Sequence, residues 1–322
     1  MTENARADVV VDIVASCHNG EAYIAEFLES VRRQSHASWR LWVRDDGSSD
    51  ATMSIVDAVA ARDARIHVLH RGAPALGVTG AFGWLLERVP PDARYIMFAD
   101  QDDVWLTHKI ERTLGVMHDE ERRNGGAVLV HSDLTVVDER LAVLDRSFWE
   151  FSGIDPEPVS LSRLLVQNVV TGAAAMINAD LHRRAGRMPA NAVYHDWWYA
   201  CVAAAFGRVV ALRESTILYR QHGRNVVGAV ARRRPWFARP GAVWRALHST
   251  SHFRAELART SRQAAALVER FGSELPDEER RLVAAYASLP GRPFLRRKLE
   301  VARLRLRREH GFWRNVGALL RA

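Results

Sequence analysis

Residues 95–105, Tyr-Ile-Met-Phe-Ala-Asp-Gln-Asp-Asp-Val-Trp, constrain this chain most. Tyr95 to Ala99 is a short apolar run that reads as a buried strand. It stops in three carboxylates within four residues, Asp100, Asp102 and Asp103. Such a cluster is repulsive unless something cationic sits in it. Hard divalent ions such as Mg²⁺ or Mn²⁺ take carboxylate oxygens and leave positions free for phosphate oxygens. In an open α/β sheet, ligands bind at the carboxyl ends of strands. Asp100-Gln101-Asp102 therefore reads as a metal–diphosphate site on the rim of a sheet.

The chain before it alternates strands with helices. Val9 to Ser16 is rich in β-branched residues and predicts a strand, closed by the turn composition Cys17-His18-Asn19-Gly20. Tyr23, Ile24, Phe27, Leu28 and Val31 fall at helical spacing within 21–34. A strand over 39–44 runs into Asp45-Asp46-Gly47-Ser48-Ser49-Asp50, where Asp50 can cap a helix over 51–61. A strand over 65–69, a Gly/Pro loop, a helix over 81–88, the strand 95–99 and a helix over 108–117 follow. This alternation predicts an α/β fold with right-handed crossovers and a mainly parallel sheet flanked by helices. Beyond it come strand-like runs at 126–132 and 216–222 and an apolar run over 169–177. A helix opens at Tyr194-His195-Asp196-Trp197-Trp198, and helical segments near 242–271 and 277–288 form a C-terminal extension.

At 48% hydrophobic and 26% charged, the 322 residues suit a globular chain of one large domain with an appendage, or of two domains. The net charge of +7 is uneven. Ten Lys/Arg against two Asp/Glu in 291–322 give that stretch +8 and leave the rest near −1. A near-neutral body argues against nucleic acid as a partner. Cys17 and Cys201 are too few for a disulfide framework and have no partners at zinc-ligand spacing. No leader pattern is visible and no apolar run approaches the roughly 20 residues that span a bilayer, so a cytoplasmic location is expected.

Three segments carry a family likeness: Ala15-Ser16-Cys17-His18-Asn19-Gly20, Asp45-Asp46-Gly47-Ser48-Ser49-Asp50 and Ala99-Asp100-Gln101-Asp102-Asp103. Each alone is weak, but their order at successive strand ends resembles glycosyltransferase family 2 on the GT-A fold. The resemblance covers about 8–228 and is nearest to rhamnosyltransferase-like members through Gln167-Asn168 and Thr171-Gly172-Ala173. It implies a GT-A domain over 1–230, with a nucleotide-sugar half at 8–125 and an acceptor half at 126–230, and a basic helical region at 231–322.

The resemblance also implies roles. Backbone around Ala15 and Cys17 would face the base, with Asn19 and Gly20 shaping the turn. Asp46 matches a carboxylate that reads the pyrimidine ring N–H, or it is a plain turn residue. Asp102 would ligate the metal, Asp100 and Gln101 would lie near the donor, and His222 would be a third ligand, a phosphate donor or a structural residue. Arg220 or Arg224 would pair with phosphate. Asp196 falls at the general base, with His195 where the family commonly has Glu; it could also simply satisfy a helix dipole. Thr171, Gly172, His195, Trp197 and Trp198 mark the acceptor region.

The implied activity is inverting, metal-dependent transfer, with L-rhamnose from dTDP-L-rhamnose as the donor most resembled and a UDP-sugar as the other candidate. The acceptor would be a cell-surface polysaccharide precursor or a lipid-linked saccharide. In the tail, Leu295, Leu299, Ala302, Leu306, Trp313, Val316 and Leu320 recur at helical spacing among arginines. That pattern suits either an anionic membrane surface on the inner face or a helix packed on the catalytic domain. Two rivals are a non-catalytic nucleotide-binding scaffold and a haloacid-dehalogenase-like phosphatase. The phosphatase needs a downstream lysine, and none lies between Lys109 and Lys298.

Overall fold

The computed structural model describes residues 9–72, 74–223, 250–293, 296–297 and 299–300. They divide into two compact units. One holds residues 9–148, 170–188 and 194–223, and the other holds 149–169, 189–193 and the described residues from 250 onward.

The first unit is built on a nine-stranded mixed sheet. Its strands are β1 (Val11–Cys17), β2 (Trp39–Asp45), β3 (Ile66–His70), β4 (Tyr95–Asp100), β5 (Val104–Trp105), β6 (Ala127–Val137), β7 (Val143–Asp145), β8 (Ala175–Asn178) and β9 (Gly207–Arg220). They lie in the order β3-β2-β1-β4-β8-β6-β9-β5, with β7 paired to β6. The longer ladders, β1–β2, β1–β4, β2–β3 and β6–β9, are parallel. The antiparallel pairings contribute only two or three residue pairs each. The sheet is thus mixed and mainly parallel, as the alternating pattern predicts.

The order places a topological switch point beside β1. The chain steps outward from β1 to β2 and β3, then returns to put β4 on the other side of β1. Crevices of this kind open at the carboxyl ends of the two diverging strands. β1 is central and buried on both faces, which its Val-Asp-Ile-Val-Ala-Ser-Cys sequence allows because Asp12 is neutralised. Arg40 donates Nε and Nη2 to the Asp12 carboxylate at 2.8 and 3.0 Å, and Trp42 Nε1 donates at 2.8 Å.

Helices α1 (Ile24–Arg32), α2 (Thr52–Ala60), α3 (Gly77–Leu86), α4 (Lys109–Asn124), α5 (Ala179–Ala185) and α6 (His195–Phe206) complete this unit. In α1, Ile24, Phe27, Leu28 and Val31 are buried at i, i+3, i+4, i+7, the spacing of one helical face. They join Ile13, Leu41, Val43, Met97, Trp105 and Leu114 in one hydrophobic core.

The structure departs from the sequence reading most at β9. That strand begins at Gly207 rather than 216, and its register against β6 shifts twice around Asp133. Bulges interrupt the two-residue alternation, and Arg213-Glu214-Ser215 then looks like a turn. β5 and β7, of two and three residues, are too short to leave a period.

In the second unit, α7 (Thr250–Phe271) and α8 (Asp277–Ala287) match the helical segments expected there. Ala264, Leu267, Phe271, Val283 and Tyr286 are buried, and Thr260 Oγ1 lies 2.8 Å from the Tyr286 hydroxyl. Residues 149–169 and 189–193, placed by the sequence reading within the acceptor half, group with these helices. Val193 N–H, for instance, donates to Gln263 Oε1 at 2.8 Å. Among the described residues no helix is long and apolar enough to cross a membrane. The proposed membrane-facing helix of 294–322 lies almost wholly outside the described residues.

The helix α6 passes into β9 with no intervening loop, at Gly207. A Cβ added there would sit 1.9 Å from the Ala127 carbonyl oxygen. Gly207→Ala is expected to destabilise the chain by about 2 kcal/mol through forced backbone displacement. Gly115→Ala, inside α4 with nothing within 4 Å, is expected to stabilise it by about 0.5–1 kcal/mol. Urea unfolding of both variants checks the contrast.

Candidate active site

The parallel register brings three loops to one rim. Cys17 sits beside Asp45, and Ser16 beside Asp100. Backbone groups freed at these strand ends are taken up between the loops. Gln101 clasps the first loop: its Oε1 accepts His18 N–H at 3.0 Å and its Nε2 donates to His18 C=O at 2.8 Å. The close approach needs Gly20, where a Cβ would lie 2.3 Å from Gln101 Oε1. Asn19, at φ 45°, accepts Ser49 N–H on Oδ1 at 2.8 Å and donates its own N–H to Ser48 Oγ at 3.1 Å. Asp46 N–H donates to Cys17 C=O at 2.7 Å.

The acidic cluster follows directly. Asp100 is half-buried, and burial, then Asp102 and Asp196, push its carboxyl up to about 7. Asp196 comes from the first turn of α6, nearly a hundred residues away, and its Oδ1 accepts Trp197 N–H at 2.8 Å. A Cβ on Gly172 would meet the Cβ of Asp196 at 3.4 Å, which puts Thr171-Gly172 against this acid. Asp102 Oδ2 lies 2.8 Å from His222 Nε2. Asp103 is fully buried and accepts Arg220 N–H on Oδ1 at 3.1 Å. Burial, reinforced by Asp102 and Asp100, holds its carboxyl well above the usual range. Lys109, also fully buried, stands 4.6 Å over the Trp105 ring. Burial pulls its ammonium down to about 7, with Asp103 opposing.

Several expected residues lie elsewhere than a ligand would need. The Arg220 side chain is only 2% exposed and its guanidinium is spent on protein. It donates Nε to Asp102 C=O at 2.9 Å, Nη1 to Glu139 C=O at 2.6 Å and Nη2 to Glu26. Ala15 is held inside the sheet between Val43 and Ala99, short of the rim, because both neighbouring ladders run past it. Trp198 is wholly buried and belongs to the core rather than to an open stacking surface. His195 is buried too, stacked on Phe82 at 3.9 Å, and burial lowers its imidazole to about 3, so it is neutral. Arg224 lies outside the described residues.

Asp46 does sit at the rim, but its carboxylate already faces the start of α3. It accepts Leu76 N–H at 2.8 Å and Gly77 N–H at 2.9 Å, and it pairs with buried Arg44. Asp45 and Asp50 serve their turns, accepting Ser48 N–H and Thr52 N–H at 2.9 Å each. A separate cavity of about 370 Å³, bordered by Leu86, Pro90, His182 and Met188, contains none of the site residues.

Residues the sequence reading passed over are Tyr23 and Glu26. Tyr23 stacks on His222 at 4.8 Å and lies under the Arg220 guanidinium at 4.7 Å. Their three-residue spacing, which places both on one side of a helix start, was the available signal.

A model of glycosyl transferase family 2 matches residues 12–182, just over half of the chain. The chain belongs to glycosyl transferase family 2. Over 110 residues this family 2 chain is 36% identical to the UDP-Glc:alpha-D-GlcNAc-diphosphoundecaprenol beta-1,3-glucosyltransferase WfgD of Escherichia coli. That match covers 34% of the chain and 42% of WfgD, less than half of the relative's length. A longer match at 25% identity covers 66% of the chain and 73% of the dTDP-rhamnosyl transferase RfbG of Shigella flexneri. The fold superposes on the mannosyltransferase PcManGT from Pyrobaculum calidifontis, solved with GDP-Man and Mn²⁺. The TM-score is 0.54 at 16% identity, over 92% of this chain and 72% of that one. The fold is GT-A.

A divalent ion fits the donor set at Asp102 and His222. Their facing atoms are hydrogen-bonded to each other at 2.8 Å, and a carboxylate oxygen and an imidazole nitrogen are donor types that divalent ions take. Among the described residues no group of three or more His, Cys, Asp and Glu could hold a metal. Two protein ligands with phosphate and water completing the shell is the usual arrangement for Mg²⁺ at phosphate sites.

The crowding of Asp100 carries a sign. A carboxyl held up to about 7 keeps its proton in the folded chain after the unfolded chain has lost it, so stability falls as pH rises from about 4 to 7 and then levels off. Asp100→Asn removes that loss. Melting curves are expected to show the variant gaining on wild type across this window and keeping a constant lead above it.

Proposed function

We propose that the chain is an inverting glycosyltransferase that moves a sugar from a nucleoside diphosphate to an acceptor hydroxyl. The observation that carries this reading is that Asp100, at the end of β4, lies within electrostatic reach of both Asp102 and Asp196, the latter in the first turn of α6. A leaving-group site and a proton acceptor thereby share one electrostatic neighbourhood.

Asp196 takes the proton of the acceptor hydroxyl as its oxygen attacks the anomeric carbon. The bond from that carbon to the diphosphate oxygen breaks on the opposite face, so configuration inverts. Thr171-Gly172 borders the acceptor's approach, and Gly172 lets this segment close on the buried His195 ring and on Asp196, which a Cβ would meet at 2.7 and 3.4 Å. The Gln101 clasp holds the first loop against the diphosphate loop. Mg²⁺ or Mn²⁺, held by Asp102 and His222, would supply positive charge to the departing diphosphate.

The donor we favour is dTDP-L-rhamnose, on the length of the match to RfbG, with a UDP-sugar as the alternative given WfgD. The WfgD name, which gives that relative a diphosphoundecaprenol-linked acceptor, supports a lipid-linked acceptor here.

Two measurements test the reading. Asp196→Asn is expected to lower kcat by about 10²–10⁴-fold while donor affinity stays within twofold or so of wild type. Near wild-type turnover would remove Asp196 from the role. A thermal-shift panel of dTDP, UDP and GDP with and without Mn²⁺ should show the largest stabilisation with dTDP or UDP plus metal, since ligands that bind only the folded form raise its melting temperature.

A further inference from the structure

We propose that Arg220 and Tyr23 are positioning residues that hold Asp102 and His222 in register for a divalent cation bound together with a nucleoside diphosphate. This rests on the donor-site reading above and assigns Arg220 a task other than phosphate contact.

The Arg220 guanidinium is spent on protein acceptors. Its three nitrogens reach three separate segments: the Asp102 carbonyl after β4, the Glu139 carbonyl between β6 and β7, and Glu26 on α1. The backbone N–H of the same residue donates to Asp103. Arg220 therefore grips the acidic loop on both sides of the Asp102–Asp103 peptide. A planar fork can meet such divergent acceptors at once, whereas the point charge of lysine cannot.

Tyr23 closes the circuit. One side of the arrangement is its ring under the guanidinium at 4.7 Å, and another is its stack on His222 at 4.8 Å and 24°. His222 in turn lies 2.8 Å from the Asp102 carboxylate. The loop thus runs from Asp102 backbone through Arg220, Tyr23 and His222 back to Asp102 side chain. Both members of the candidate metal pair are fixed by it. With its side chain 2% exposed, Arg220 has no surface left for a phosphate. Partners standing behind metal ligands commonly set metal affinity by one to two orders of magnitude.

The test titrates Mn²⁺ into the full-length chain, following free Mn²⁺ by electron paramagnetic resonance with dTDP or UDP present. Nucleotide binding without metal is measured separately, and circular dichroism reports folding. Arg220→Lys and Tyr23→Leu are expected to weaken Mn²⁺ binding by about 10–100-fold while metal-free nucleotide binding changes by less than about threefold. Tyr23→Phe, which keeps the ring, is expected to restore affinity to within about twofold. A folded Arg220→Lys protein with wild-type Mn²⁺ affinity would overturn the proposal. So would an equal loss of metal-free nucleotide binding, which would mark a direct phosphate contact. Should Arg220→Lys fail to fold, the contrast between Tyr23→Leu and Tyr23→Phe decides the matter alone. If the wild-type chain bound no Mn²⁺ with either nucleotide, the donor-site reading itself would fall, a result distinct from variants that bind as wild type does.

Discussion

Three carboxylates within four residues repel one another, and the fold around β4 is arranged to contain that repulsion. The containment is partly hydrogen bonding and partly retained protons, since burial and mutual repulsion raise the carboxyls of Asp100 and Asp103. Arg220 N–H meets Asp103, His222 meets Asp102, and Lys109 sits within electrostatic reach of Asp103. Asp100 carries what is left over: burial first, and then the charges of Asp102 and Asp196, raise its carboxyl. A divalent cation would relieve that excess more fully than any side chain present.

The same logic explains why the loops around the rim are stitched to one another. Strand ends in a parallel sheet release donors and acceptors that must be satisfied. Here Gln101, Asn19, Ser48, Thr52 and Asp46 satisfy them across loops. Asp46 shows how one residue can be drawn into this work. Its carboxylate is held by Arg44 and by the first N–H groups of α3. A carboxylate offers about four lone-pair directions, so a pyrimidine N–H would have to share an acceptor that the helix start already uses.

Much of this was legible in the sequence because it depends on local pattern. The strand-to-acid transition at Ala99-Asp100, the turn chemistry of 45–50 and the face of α1 all follow from residue order and agree with β4, β2 and α1 as found. What could not be read depends on contacts between distant segments. Arg220 is expected at a phosphate because its segment resembles the one that meets the diphosphate in the family. Only the fold reveals that Glu26, Asp102 and Glu139 have already claimed it. Trp198 likewise reads as part of the acceptor region until its complete burial is known. The start of β9 was hidden for a different reason: its bulges break the alternation on which strand detection relies.

The direct passage of α6 into β9 has a mechanical consequence. Asp196 stands at the beginning of that continuous run, and Arg220 ends it, two residues before His222. No flexible joint lies at Phe206-Gly207 to absorb a displacement, and β9 is anchored along β6 by a long parallel ladder. The residue proposed as proton acceptor and the residue proposed to position the metal pair therefore lie at opposite ends of one continuous helix–strand run, and their spacing along the chain is fixed by the fold itself.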